Sequence, residues 1–113
     1  VKKIMQIISL LLLTNLSMAI ECTGERRETI GSEVYVTKAK LIDQNYSTVL
    51  KLELDIEESY FSAQIDGDDV LAIISIGPNY TDGNLSRSSF NSSGQLKLSY
   101  VSAALTLILE CHK

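Results

Sequence analysis

Cys22 and Cys111 are the only cysteines of this 113-residue chain, and they stand near its opposite ends. If they join, both ends must lie on neighbouring elements, which narrows the possible architectures more than any other feature. Whether they join depends on the compartment, because disulfides persist where the surroundings are oxidising. The first nineteen residues bear on that. Lys2 and Lys3 form a positive start, Ile4 to Leu13 an apolar run, and Ser17-Met18-Ala19 a small-x-small cleavage site, the layout of a secretory leader. Residues 1–19 are therefore expected to be a signal peptide and residues 20–113 a single small exported β domain, periplasmic or extracellular. The opening Val1-Lys2-Lys3 suggests a bacterial chain begun at an alternative start codon, or else a truncated one. The apolar run spans about ten residues, half of what a hydrocarbon core requires, so no membrane span is expected in the mature chain.

In an exported chain such a pair is read as one disulfide, Cys22 to Cys111. Closing a loop of about 90 residues restricts the unfolded chain by roughly 4–5 kcal/mol in the entropy model. A redox-active pair would be expected close together in sequence, as in CxxC. A metal site on Cys22, Cys111 and His112 would need a further ligand that no spacing singles out, so no metal and no cofactor are expected.

Charge removes other classes of partner. The formal net charge is −4, and loss of Lys2 and Lys3 with a leader lowers it to about −6. Neutralising phosphates requires clustered Lys and Arg, so no nucleic acid is expected, nor a polybasic grip on anionic lipid.

From Glu33 to Cys111 the apolar residues recur with period two, and no helical period competes. The expected fold is all-β: an antiparallel meander of about six strands forming a small barrel or sandwich, clasped by the terminal disulfide. Pairing can be tested by parity, because a one-residue slip turns every side chain to the opposite face. Placing Leu41 opposite Leu50 sets Tyr35 by Ile56 on one face and Lys38 by Glu53 on the other. A turn near Glu58-Ser59 sets Ile56 by Phe61 and Leu52 by Ile65. The turn Asp66-Gly67-Asp68-Asp69 sets Val70, Ala72 and Ile74 by Ile65, Ala63 and Phe61. The last hairpin sets Leu96, Leu98 and Tyr100 by Leu109, Leu107 and Leu105.

Several residues are candidates for function. The stretch Gly77 to Gly94 has weak alternation and carries Tyr80, Asp82, Arg87 and Phe90 among small polar residues, a composition suited to recognition. The other reading of this stretch is a short strand at Leu85–Phe90 flanked by turns. Leu71 and Ile73 form an apolar patch on the second face of their strand, either a partner site or a face covered by the N-terminal segment. Glu53, Asp55 and Glu57, with Asp66, Asp68 and Asp69, form an acidic stripe best explained as a solvated sheet face. Every asparagine lies in an Asn-x-Ser/Thr triplet, including Asn45, Asn79, Asn84 and Asn91; such triplets are glycan acceptors in eukaryotic secretion and also ordinary turn chemistry. Nucleophilic catalysis needs a positioned base, and the sole histidine, His112, is next to the chain end, so no catalytic residues are assigned.

The segment Ser93-Gly94-Gln95-Leu96-Lys97 partly resembles the serine-bearing S-G-x-x-Y loop of periplasmic inhibitors of C-type lysozyme, which are small β-barrels with a terminal disulfide. The tyrosine and the following K-G element are absent here. The resemblance implies inhibition of a cell-wall hydrolase as one alternative, and a structural surface component is another. The leading expectation is a non-catalytic exported β module that binds a protein or cell-envelope component through the 77–94 stretch or the Leu71/Ile73 patch.

Overall fold

A computed structural model describes residues 20–43 and 49–113. The leader reading and the Asn45 triplet lie outside the described residues. Nine strands are present among these residues: β1 (Glu21–Ile30), β2 (Glu33–Lys40), β3 (Ile42–Asp43), β4 (Leu50–Ile56), β5 (Ser59–Asp66), β6 (Asp69–Ile76), β7 (Asp82–Ser88), β8 (Gln95–Val101) and β9 (Leu105–His112). They form two antiparallel sheets, ordered β2-β1-β9-β8 and β3-β4-β5-β6-β7. The architecture is a sandwich and not a closed barrel.

Alternation builds the core. Leu52 and Ile56 of β4, Phe61, Ala63 and Ile65 of β5, and Val70, Ala72 and Ile74 of β6 face Leu96 and Leu98 of β8 and Leu107 and Leu109 of β9. Phe61, Leu107 and Leu109 are fully excluded from solvent. Burying each such side chain stabilises the fold by about 1.5–3 kcal/mol.

The disulfide forms as expected, but between adjacent strands. Cys22 is the second residue of β1 and lies directly opposite Cys111 of β9, with Cα atoms 4.0 Å apart. Thr29 N–H donates to the Ala104 carbonyl while Leu41 N–H donates to the Cys22 carbonyl. Odd residues of β1 therefore hydrogen-bond toward β9 and even residues toward β2. Cys22 and Cys111 thus form a non-hydrogen-bonded pair, the closer of the two antiparallel pair types.

Of the expected pairings, Val70, Ala72 and Ile74 against Ile65, Ala63 and Phe61 is as observed. Two others are displaced by two residues on the same faces: Leu54 is opposite Phe61 and Leu52 opposite Ala63, and Leu98 is opposite Leu109. The first hairpin is overturned. β2 does not pair with β4; it turns back onto β1, with Lys38 opposite Glu25 and Tyr35 opposite Glu28. At Leu41 the chain crosses to the other sheet, where β3 takes the edge beside β4 with Ile42 opposite Glu53. The physical reason lies in β1, ECTGERRETI, whose core-facing positions are Cys22, Gly24, Arg26 and Glu28. A β carbon added at Gly24 would stand 2.9 Å from Leu54 Cδ2 and from Phe61 Cγ, so only glycine lets the sheets approach there. Such a strand shows no apolar alternation, although it joins β2 to β9.

Candidate functional site

The edges of the sandwich differ. On one side β7 and β8 face each other, and the Asn84 amide donates to the Ser99 carbonyl between sheets at 3.0 Å. On the other, β3 is two residues long and β2 projects as an open edge, all eight of its residues exposed. The β1–β2 hairpin is closed by Gly31-Ser32, with Gly31 at φ +66°, fitting a two-residue turn that needs glycine first. Around this tip Ile30, Val34, Tyr35 and Val36 are 59, 60, 52 and 57 % exposed. These side chains form an apolar strip on both faces of an edge strand whose outer side is unpaired among the described residues, an arrangement soluble proteins usually blunt. Lys38 and Lys40 follow in the strand, so its second half is cationic, whereas its first half carries a single charge, Glu33, beside Val34, Tyr35 and Val36.

Under the arm is a cavity of about 350 Å3, lined by Arg26, Glu28, Ile30, Tyr35, Val36, Thr37 and Glu57. Arg26 organises its floor. The guanidinium donates to Ser59 Oγ at 3.1 Å, Glu57 Oε2 at 2.9 Å and Glu28 Oε2 at 3.1 Å. Its side chain is only 13 % exposed, so these charge-assisted bonds are partly shielded from water. Glu57 and Glu58 form the two-residue β4–β5 turn with φ of 42° and 60°, a left-handed pair that usually takes Asn-Gly. The ion pair to Arg26 anchors the first of these strained residues, and the Glu58 carbonyl accepts from Gly77 N–H. Tyr35 O–H donates to Glu33 Oε2 at 2.7 Å, and that neighbouring carboxylate raises the phenol pKa.

The residues of the 77–94 stretch are not brought together. Tyr80 sits at φ +59° in the turn after β6, with its N–H bonded to the Ile76 carbonyl. With Asp82 it lines a second cavity of about 220 Å3 that also touches Ile73 and Leu85. Arg87 lies at the far end of β7, opposite Leu71 and 3.6 Å from Asp69. Phe90 is partly buried against the core, with Lys113 Nζ 5.0 Å above its ring. The stretch thus holds a strand, β7, between two turn segments, and its four candidate side chains divide between the two ends of the sandwich. Ser93-Gly94 lies in a tight turn whose Ser93 and Gln95 amides donate to Asn91 Oδ1.

Leu71 and Ile73 are half-buried on the outer face of the five-stranded sheet, and Leu85, 63 % exposed, extends the patch opposite Ile73. In the acidic stripe Glu53 accepts from Tyr60 O–H at 2.8 Å and lies 3.5 Å from Lys51. No group of three His, Cys, Asp or Glu side chains able to hold a metal occurs among the described residues. His112 Nε2 is 3.7 Å from Glu21 at the disulfide end. No described helix is long and apolar enough to cross a membrane.

The β1–β2 arm was missed as a site because β2 was expected to pair with β4, which would have covered Tyr35, Thr37 and Ala39. Val34-Tyr35-Val36 held the available signal, being apolar at both parities. No protein-family model matches the chain, and neither a curated protein nor a solved structure matches it.

Proposed function

We propose that this chain is a non-catalytic exported β module of the periplasm or extracellular space whose β1–β2 arm binds a protein partner. One observation carries the reading: β2 combines a backbone edge that is unpaired among the described residues with an exposed apolar strip at Val34, Tyr35 and Val36. A sheet edge is completed by another peptide backbone, so a protein fits this surface better than a glycan or lipid component of the envelope. The Cys22–Cys111 disulfide fits an oxidising compartment. Within the cavity Arg26 is held by Glu28 and Glu57, and beside it by Ser59, which suits a rigid support for the arm more than a reacting centre.

The test is a photo-crosslinking residue placed at Val36, and separately at Leu85 on the opposite edge, in protein expressed in its host. A discrete adduct from Val36, absent from Leu85, is the expected result. Adducts from Leu85 alone would move the site to the outer patch with Ile73. Absence of adducts from both positions would end the binding-module reading.

A further inference from the structure

We infer that the partner strand on the β2 edge is β2 of a second copy of this chain, paired antiparallel about a two-fold axis at Tyr35. The inference rests on the reading of the β1–β2 arm as the binding surface and adds the identity of the partner.

The backbone settles which registers are possible. Leu41 N–H donates to Cys22, and the β1–β2 pairing runs without a break to Ile30 and Glu33. Odd residues of β2 therefore direct their amides and carbonyls toward β1. Those of Val34, Val36 and Lys38 point to the open side. A strand that pairs with its own antiparallel copy must set open positions opposite open positions, so the axis passes through a residue and never between two.

Side chains then choose among these registers. With the axis at Tyr35, Val34 of each copy is opposite Val36 of the other. Four valines meet on the outer face and the two Tyr35 rings meet on the cavity side. The Tyr35 pair is then non-hydrogen-bonded, the type in which facing side chains lie closest. Glu33 falls opposite Thr37 and Lys38 opposite Ser32, so no like charges face each other. With the axis at Val36, Lys38 would lie against Val34 and the valine cluster would be broken. Lys38 and Lys40 thus limit the paired stretch to its apolar half. The product is a continuous eight-stranded sheet through both copies, with an isologous interface.

Area gives the strength. The exposed parts of Val34, Tyr35 and Val36, the apolar residues this register sets together, amount to roughly 340 Å2 per copy, or about 700 Å2 for a pair. This small apolar contact sets the expectation of a weak, reversible dimer. Both copies carry net negative charge, so salt strengthens association by screening their repulsion. A basic partner strand would respond in the opposite sense.

The experiment is sedimentation equilibrium of the disulfide-bonded protein from about 1 to 500 μM, at low and high salt. The same runs include Val36→Lys on the arm and Leu85→Lys as the off-arm control, each checked for native circular dichroism. Concentration-dependent dimer favoured by salt, weakened at least tenfold by Val36→Lys and unaffected by Leu85→Lys, is expected. Tyr35→Cys should also give a reducible covalent dimer on mild oxidation, and Ala39→Cys should not. A monomer throughout, or a dimer sensitive only to Leu85→Lys, overturns the inference. If the protein is monomeric and Val36 crosslinks to a different protein, the arm remains the binding surface and only the second copy is wrong. If Val36 crosslinks to nothing, both readings fail.

Discussion

Removing the Cys22–Cys111 bond measures how much of the stability comes from holding the two ends of the chain together. The cysteines are 89 residues apart in sequence yet directly opposite in the β1–β9 ladder. In the folded state eight residue pairs already join these strands. The bond therefore acts mainly on the unfolded chain, where a loop of this size corresponds to about 4–5 kcal/mol. Small domains have about 5–15 kcal/mol in total, so the reduced protein should lie near the edge of folding. Each sulfur is also buried, with both cysteines 2 % exposed. Replacing both by alanine adds the cost of two small voids, about 1 kcal/mol each. Urea unfolding followed by circular dichroism separates the contributions. Reduced wild-type protein keeps the sulfur volume and loses only the link, whereas Cys22→Ala with Cys111→Ala loses both. The expected order is oxidised, then reduced, then the double variant. A reduced protein within about 1 kcal/mol of the oxidised form would refute the argument, because it would mean that the unfolded chain already holds its ends together.

Gly24→Val should cost about 1–3 kcal/mol by forcing Leu54 and Phe61 aside, seen as a lower melting temperature with unchanged secondary structure. Glu58→Gly should stabilise by about 1 kcal/mol in urea unfolding, because a non-glycine residue at φ 60° leaves a strained conformation. Arg26→Met should cost about 1–2 kcal/mol in urea unfolding, chiefly because it strips the buried Ser59 of its donor, the half-exposed Glu28 and exposed Glu57 losing less. Tyr60 has its pKa raised above the ordinary value, first by burial, with Ser62 pulling it down and the Glu53 carboxylate, which accepts a hydrogen bond from its O–H, pushing it up. Because the folded pKa lies above the unfolded one, this stabilisation is fully present below about pH 10 and is lost as pH rises through the folded pKa. Tyr60→Phe should therefore flatten the alkaline fall in stability, and an unchanged fall would assign it to other groups.

The all-β class, the Cys22–Cys111 link and the buried face of β4, β5, β6, β8 and β9 were legible in the chain itself. Period-two alternation decides a face, and a pair of cysteines in an oxidising compartment has one possible partner each. Register was legible where the turn announces itself. Gly67-Asp68 supplies the left-handed residue its hairpin needs, and the β5–β6 pairing is as expected. Glu57-Glu58 occupies a left-handed turn without any of the usual residues, so the β4–β5 pairing was misplaced by two residues and only its faces were right.

Tertiary structure alone decided which strands are neighbours. β2 could turn forward onto β4 or back onto β1, and nothing in Val34-Tyr35-Val36 distinguishes the two. The choice depends on β1, whose core positions are Cys22, Gly24, Arg26 and Glu28 and which reads locally as a polar segment. The Arg26, Glu57 and Ser59 cluster likewise joins residues more than thirty positions apart. Alternation is a property of neighbouring residues, but a strand's partner is set by which distant backbone completes its hydrogen bonds. That competition is resolved only when the whole chain packs, and here it leaves the eight-residue β2 at an open edge among the described residues.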